Sequence, residues 1–97
     1  MLFRSQSPQS RARRYTVRLH FLEPDEVDRG QRVFTVGVQD QRKKLSIDIA
    51  AEVGRMTPLV KEFRGVSAGD KLTIVFAPKP GSRHGPLCCG VEVVAEP

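Results

Sequence analysis

The chain has 97 residues, of which 39% are hydrophobic and 28% charged, so it is long enough for one small domain and too apolar for a disordered chain. No apolar run approaches the roughly 20 residues that a membrane helix needs, and we expect no membrane segment. The formal net charge is +5, but four arginines and no acidic residue fall within Met1–Arg14, which leaves 12 basic and 11 acidic residues elsewhere. Because the basic excess is confined to the start of the chain, we expect no nucleic-acid partner.

The first 14 residues are rich in serine, glutamine and arginine, a composition typical of a flexible segment. We predict a flexible basic leader over residues 1–14 and one folded domain over residues 15–97. A basic segment of this kind can dock on phosphates or acidic surfaces, but a solvated charge run is the commoner outcome. The leader has no continuous apolar stretch and does not resemble a secretory signal, so the sequence leaves the localisation unknown.

The segment Tyr15–Glu23 has the clearest pattern in the chain, because its apolar and polar residues alternate. This period of two is typical of a strand with one buried and one wet face. Pro24 donates no ladder hydrogen bond and should end the strand. The residues on the apolar parity are Tyr15, Val17, Leu19 and Phe21.

The rest of the chain contains five further predicted strands and one helical turn. Apolar alternation predicts the strands over residues 33–38, 45–49, 59–63, 71–77 and 87–94. Residues 50–54 have helical character, with Asp48 as a cap and Gly54 at the end. The connections are an acidic loop, two turns and a loop rich in proline and glycine, over residues 24–31, 40–44, 65–70 and 77–86. We therefore predict an all-β chain that folds as an antiparallel, jelly-roll-like β-sandwich.

The segment Gly65-Val-Ser-Ala-Gly69 matches the G-x-S-x-G pattern of serine hydrolases. That chemistry requires the serine on a strand-to-helix turn, whereas a strand follows the segment here. We interpret the segment as a strand connection. Since no nucleophile is accompanied by a base, the sequence predicts neither an enzyme nor a cofactor.

Two histidines and one acidic cluster are the other candidates for chemistry. His20 lies on the polar parity of the first strand, where a surface role is expected. His84 lies in the proline- and glycine-rich loop and could contact a ligand, although a solvated histidine is commoner there. Asp25, Glu26 and Asp28 could form a weak calcium site, but they lack EF-hand spacing. We therefore predict a solvated acidic loop and no metal site.

The two cysteines, Cys88 and Cys89, are adjacent and form neither a disulfide framework nor a metal-ligand set. Neighbours in a strand point to opposite faces, so one thiol should be buried and the other more exposed. The alternation of the last strand predicts that Cys89 is the buried one, together with Leu87, Val91 and Val93.

The ordered segments resemble the malectin and malectin-like domains, a family of carbohydrate-binding β-sandwiches. No single segment is specific, but their order and spacing are, and they cover the chain from Tyr15 to about Ala95. In the family these are the later strands, so the resemblance implies a domain truncated at its start, without part of the sugar-binding aromatic set. The segments are Tyr15–Glu23, Arg32–Val36, Ile47–Ile49, Val60–Phe63, Leu72–Ile74 and Gly90–Val94.

The resemblance implies a non-catalytic module that binds sugar through its loops. Asp25 and Glu26 stand where animal members carry a Tyr-Phe pair, and His84 stands where an aspartate of the last loop contacts sugar. Sugars stack on aromatic faces, but the chain has one tyrosine and no tryptophan, so the predicted binding is weak. The candidate ligand-binding residues are Tyr15, Asp25, Glu26, Arg83 and His84.

The alternative function is a protein-interaction or assembly domain that keeps the sandwich and has lost the sugar site. A domain without its leading strands should have unpaired strand edges and should leave inward faces, such as that of Phe34, Val36 and Val38, without a cover. Exposed edges recruit other strands, so the sequence predicts a homodimer or a higher oligomer. The competing expectation is that the leader supplies a short strand and that the monomer suffices.

Overall fold

The computed structural model describes the backbone of residues 2–4 and all atoms of residues 12–39 and 44–97. Within these residues the chain forms seven strands and one short helix. Their order is β1 (Leu2–Arg4), β2 (Arg13–Phe21), β3 (Phe34–Val38), β4 (Leu45–Ile47), α1 (Ile49–Glu52), β5 (Leu59–Ala68), β6 (Lys71–Pro78) and β7 (Gly90–Ala95).

The strands form two antiparallel sheets. One has four strands in the order β1-β6-β3-β4, and the other has three in the order β5-β2-β7. All five strand pairings are antiparallel. The inward side chains of both sheets belong to a single hydrophobic core, so the fold is a small all-β sandwich and the predicted fold class is confirmed.

The core follows from the alternation along β2, β3 and β6. The even positions of β2 face outward, whereas Val17, Leu19 and Phe21 are buried against the inner face of the four-stranded sheet. The ring of Phe34 in β3 lies between the two sheets, with its centroid 5.8 Å from that of Phe21 and 6.4 Å from that of Phe76. These tilted ring pairs connect three strands across the middle of the sandwich.

The short helix and its cap lie where the sequence predicts them. The side chain of Asp48 accepts a hydrogen bond from the N–H of Ala51 at 3.2 Å and so caps the first turn. The helix ends before Gly54, whose φ of +82° is a conformation that glycine adopts without a steric penalty. Ile49, which the sequence assigns to a strand, begins the helix but stays buried.

Two expectations about the start of the chain need correction. Leu2–Arg4, assigned to the flexible leader, form β1 and pair with Lys71–Thr73 of β6. β2 begins at Arg13, because the first two of its residues continue the pairing with β5 at Ser67 and Ala68. Residues 5–11 of the leader, and residues 40–43 of the predicted charged turn, lie outside the described residues.

The expectation of an uncovered inner face is wrong. Phe34, Val36 and Val38 are all 0% exposed, because the three-stranded sheet covers them. In addition, β1 comes from the predicted leader and pairs with β6. This is the short strand on which the expectation of a sufficient monomer depends. The argument for an oligomer based on an open sheet face therefore fails, and only the argument based on strand edges remains.

The turn predicted over residues 65–70 is mostly strand. β5 continues to Ala68 and buries Val66 and Ala68, so that only residues 69 and 70 turn. Gly65 has a φ of +65° and lies at a register shift between β5 and β2. The glycine therefore marks a β-bulge rather than a turn.

The last strand is shorter than predicted, and its alternation does not extend to the cysteines. β7 starts at Gly90, so residues 87–89 precede the strand. Cys89 is exposed and Cys88 is partly buried, and both thiols are free. One thiol is therefore more buried than the other, as predicted. The more buried one, however, is Cys88 and not Cys89.

Candidate functional site

Two loops lie side by side at one end of the sandwich. The acidic loop (residues 22–33) connects β2 to β3, and the glycine- and proline-rich loop (residues 79–89) connects β6 to β7. The carbonyl of Gln31 accepts hydrogen bonds from the backbone N–H groups of Arg83 and His84, both at 3.1 Å, and Lys79 N donates to the Val33 carbonyl at 3.0 Å. These backbone contacts hold the two loops in one fixed arrangement.

Arg32 joins the two loops through a fork of three contacts. Its Nε donates to Glu23 Oε1 at 2.7 Å, one terminal nitrogen donates to Asp25 Oδ2 at 2.8 Å, and the other donates to the Gly85 carbonyl at 2.8 Å. The Glu23 side chain is 0% exposed and that of Arg32 is 10% exposed. The loop end of the sandwich is therefore built around a buried, fully hydrogen-bonded ion pair.

The pattern of the strands explains why these two charges face inward. Glu23 continues the buried parity of β2 beyond Phe21, and Arg32 continues the buried parity of β3 before Phe34. Each charge therefore projects toward the interior at the mouth of the sandwich, where the two strands leave their sheets. A buried charge without a partner is strongly unfavourable, whereas an opposite charge at the facing position satisfies it.

A third segment, residues 53–58, closes the other side of the acidic loop. Arg55 Nε donates to the Asp25 carbonyl at 2.6 Å, and Met56 N donates to the Glu23 carbonyl at 2.8 Å. Asp48 Oδ2 accepts from Gly30 N at 2.7 Å, so the carboxylate that caps α1 also fixes the tip of this loop. Between the loop and the helix lies an open depression of about 420 Å³, lined by Val27, Asp28, Arg29, Ala50, Gly54 and Arg55.

Four of the five predicted ligand-binding residues lie at this end of the molecule. Asp25, Glu26, Arg83 and His84 are all exposed, and the Asp25 side chain, although held by Arg32, is 61% exposed. Within the described residues, no hydrogen bond or ion pair occupies the side chains of Glu26, Arg83 or His84. These groups are therefore free to contact a ligand.

Tyr15 is not part of this group. It lies near the other end of β2, where it pairs with Val66 and Ala95 and packs against the core. Six residues of extended strand, or about 20 Å, separate it from the end of β2 at Phe21. Tyr15 therefore cannot contribute to a site at the loop end.

Sequence reasoning missed three residues that build the loop end. Glu23 and Arg32 carry a usable signal, because each places a charge on the inward parity of a core strand and the two charges are opposite. Arg55 has no such signal, since its contact is with a backbone carbonyl that lies far away in the sequence.

The outer face of the three-stranded sheet carries charges that are already matched. Arg18 lies between Glu62, at 2.8 Å, and Glu92, at 4.0 Å, and His20 pairs with Glu92. The pKa of Glu62 is lowered, and the hydrogen bond from Arg18 contributes most to this shift. His20 thus has the surface role that its parity predicts, and this face has no uncompensated charge among these residues.

No other chemistry stands out in the described residues. Most of Gly65-Val-Ser-Ala-Gly69 is the end of β5, and only Gly69 belongs to the connection to β6, so Ser67 lies in a strand and not on the strand-to-helix turn that a serine hydrolase requires. Within residues 12–39 and 44–97 no group of three or more histidine, cysteine, aspartate or glutamate side chains is arranged to hold a metal ion. In the part of the chain that the structure describes, no helix is long and apolar enough to cross a membrane.

The molecule is thus a small antiparallel β-sandwich with a rigid polar cluster in its connecting loops. A family model for the malectin domain matches residues 2–79, which is most of the chain, and the chain belongs to this family of carbohydrate-binding domains. The match begins at Leu2 rather than at Tyr15, so it includes β1, and it ends at Lys79, before Arg83 and His84. Neither the curated proteins nor the solved structures yielded a match.

Proposed function

We propose that the chain is a non-catalytic carbohydrate-binding module whose glycan site lies at the loop end of the sandwich. The observation that supports this proposal best is the fork of Arg32, which holds the acidic loop and the glycine- and proline-rich loop together. A sugar site needs polar groups fixed in position, because much of the cost of binding is the ordering of flexible side chains. Here the backbone of both loops is ordered before any ligand arrives.

The exposed groups on this framework suit the hydroxyl groups of a sugar. Asp25 receives one hydrogen bond from Arg32 and one of its oxygens is still available as an acceptor. Arg83 can donate several hydrogen bonds and His84 can donate or accept. The depression next to the acidic loop adds Arg29 as a donor and Val27 and Ala50 as apolar lining.

The affinity should be in the millimolar to high-micromolar range, and the ligand a neutral or weakly charged glycan. Stacking on aromatic rings contributes much of the apolar energy of sugar recognition. Among the residues whose side chains are described, Phe21, Phe34, Phe63 and Phe76 lie in the core or pack against it, and Tyr15 lies away from the loops. Hydrogen bonds exposed to water contribute little each, so a site without stacking binds weakly.

The test is an NMR titration of the labelled chain with a panel of neutral oligosaccharides. We expect the largest shift changes in residues 22–33 and 79–89, and we expect His84→Ala and Arg83→Gln to weaken them. The matched controls are His20→Gln and Arg64→Gln, which change the same residue types on the outer sheet face and should leave binding intact. Equal losses in the controls, or shifts centred on Tyr15, would contradict the proposal.

A second candidate function is assembly, which the edge of β7 favours. Val93 and Val94 are 38% and 46% exposed on this outer strand, and exposed apolar edges pair with other strands. If no glycan in the panel causes shift changes, we would regard the chain as a sandwich that serves to assemble proteins. The two candidates are not exclusive, because the loops and the edge are different surfaces.

A further inference from the structure

The outermost strands differ in how well they are protected against pairing with another chain. β1 and β4 have three residues each, which is too short for stable pairing with a strand of another chain. β5 is long, but it carries Lys61, Glu62 and Arg64 and a bulge at Gly65. Charges, bulges and short length are the usual means by which natural edges avoid pairing.

β7 is less well protected than these strands. It runs for six residues, Gly90-Val-Glu-Val-Val-Ala95, with a single charge and neither lysine nor proline. Among the described strands, only β2 is hydrogen-bonded to it. Two of its three valines, Val93 and Val94, are 38% and 46% exposed.

The hydrogen bonds to β2 show which backbone groups of β7 are free. Glu96 N donates to the Arg14 carbonyl at 2.9 Å, and in an antiparallel ladder the bonded residues alternate. Glu92 and Val94 therefore bond to β2. The N–H and C=O groups of Val91, Val93 and Ala95 point away from the sheet, toward the open edge.

We propose that β7 pairs with β7 of a second copy of this chain, antiparallel, about a two-fold axis at Val93. This pairing satisfies all the free edge groups at once, because Val93 bonds to its own counterpart and Val91 bonds to Ala95 of the second copy. It joins the two three-stranded sheets into one continuous sheet. The pairing is isologous, as expected of a closed symmetric dimer.

The charges select this register from its neighbours. An axis at Glu92 places the two Glu92 side chains directly opposite each other, and an axis at Val94 places Glu92 opposite Glu96 of the second copy. Like charges that face each other across strands are destabilising. The axis at Val93 instead places Glu92 opposite Val94, so that a valine covers the apolar stem of the glutamate and no carboxylates are opposed.

A second copy is the occupant because the edge is complementary to itself. The sequence around Val93 presents apolar residues of similar size on the inner face of both strands and pairs each glutamate with a valine. This inference deepens the assembly candidate and does not depend on glycan binding. A negative result in the sugar titration therefore does not count against the β7 dimer.

The first test measures the mass in solution and the exchange of individual amide protons over a range of protein concentrations. We expect a concentration-dependent dimer by sedimentation. On dimerisation the amides of Val91, Val93 and Ala95 should become protected, whereas those of Glu92 and Val94 are protected in the monomer already. This alternating pattern identifies the edge and the register together.

The second test uses a matched pair of variants. Val94→Glu places a second carboxylate opposite Glu92 of the other copy on both sides of the two-fold axis, and because like charges across strands repel, we expect the dimer dissociation constant to rise at least about tenfold. Val60→Glu is the control, because Val60 is 47% exposed on the other edge strand, β5, and it should leave the dimer intact. Val93→Pro, which removes the central edge-facing N–H, should abolish the dimer by a different route.

Three outcomes would overturn the proposal. A chain that stays monomeric at all concentrations leaves the β7 edge to a strand of another protein. A dimer in which Val60→Glu is the disruptive variant places the interface on β5. A dimer that protects other amides than those of Val91, Val93 and Ala95 excludes the register.

Discussion

The substitution Arg32→Met tests whether the loop end depends on its buried ion pair. Methionine keeps much of the apolar volume of the side chain and removes the guanidinium. Glu23 would then be 0% exposed with a single remaining donor, the N–H of Asp25 at 3.3 Å. The other two groups that Arg32 contacts, Asp25 and the Gly85 carbonyl, belong to exposed residues and can turn to water.

The magnitude therefore comes almost entirely from Glu23. Removing one partner of a buried ion pair costs about 3–5 kcal/mol, because an uncompensated charge stays behind. Typical domains are stable by about 5–15 kcal/mol, so the effect is large but measurable. Glu23→Gln, which removes the charge and keeps the shape, should cost less. The double substitution should cost less than the sum of the two, because the methionine no longer leaves a charge unpaired.

Urea unfolding of the four proteins, followed by circular dichroism, measures these differences. The control is Arg64→Met, since the Arg64 side chain is 82% exposed in its pair with Glu62 and exposed pairs contribute little. We expect its unfolding midpoint to match that of the parent chain. A midpoint for Arg32→Met that equals the control would refute the reasoning, as would strictly additive effects in the double substitution.

Three further predictions concern the core, the thiols and the carboxylates. Phe34→Ala should lower the free energy of unfolding by about 3–5 kcal/mol, because it leaves a cavity between the sheets; a loss under about 1 kcal/mol in urea would contradict the packing. Cys89 should react with iodoacetamide before Cys88, because burial raises the pKa of the Cys88 thiol; mass spectrometry of the peptides decides the order. The Gly65 N–H lowers the pKa of Glu96 below the ordinary value of 4.5, so this carboxylate stabilises the fold above that pH and the contribution is lost as the pH falls through the folded pKa. Glu96→Gln should therefore reduce the acid dependence of the urea midpoint, and an unchanged dependence would count against the contact.

The alternation of apolar residues was sufficient to predict the strands with one buried and one wet face. From Tyr15 to the end of β2, and throughout β3, every inward residue is apolar, so the period of two is unbroken. β5 has the same period but is interrupted by Gly65, and the sequence cannot distinguish a bulge from a turn when a glycine stands among polar residues. The short β1 has no pattern of its own and depends on the edge of β6.

The loop end was harder to predict, because its central contacts are between residues distant in the sequence. The cluster joins Arg32 to Gly85, which lies 53 residues away, and no local pattern connects them. Tyr15 illustrates the converse case. Its residue type suits a sugar site, whereas its place near the start of β2, where it packs against the core, puts it at the other end of the strand from the loops.

The proposed dimer separates the two loop ends rather than bringing them together. β7 begins next to the loops, where Cys89 N donates to the His20 carbonyl, and an antiparallel pairing places this start against the end of β7 in the second copy. The two proposed glycan sites would therefore face away from each other and could not both engage one flat glycan surface, so bivalency should add no avidity. We predict that the parent chain and Val94→Glu bind a dense glycan surface with equal apparent affinity per site, as measured by surface plasmon resonance at low and high glycan density. A gain of about tenfold or more for the parent chain at high density alone would show that the sites face the same side and would exclude the antiparallel β7 pairing.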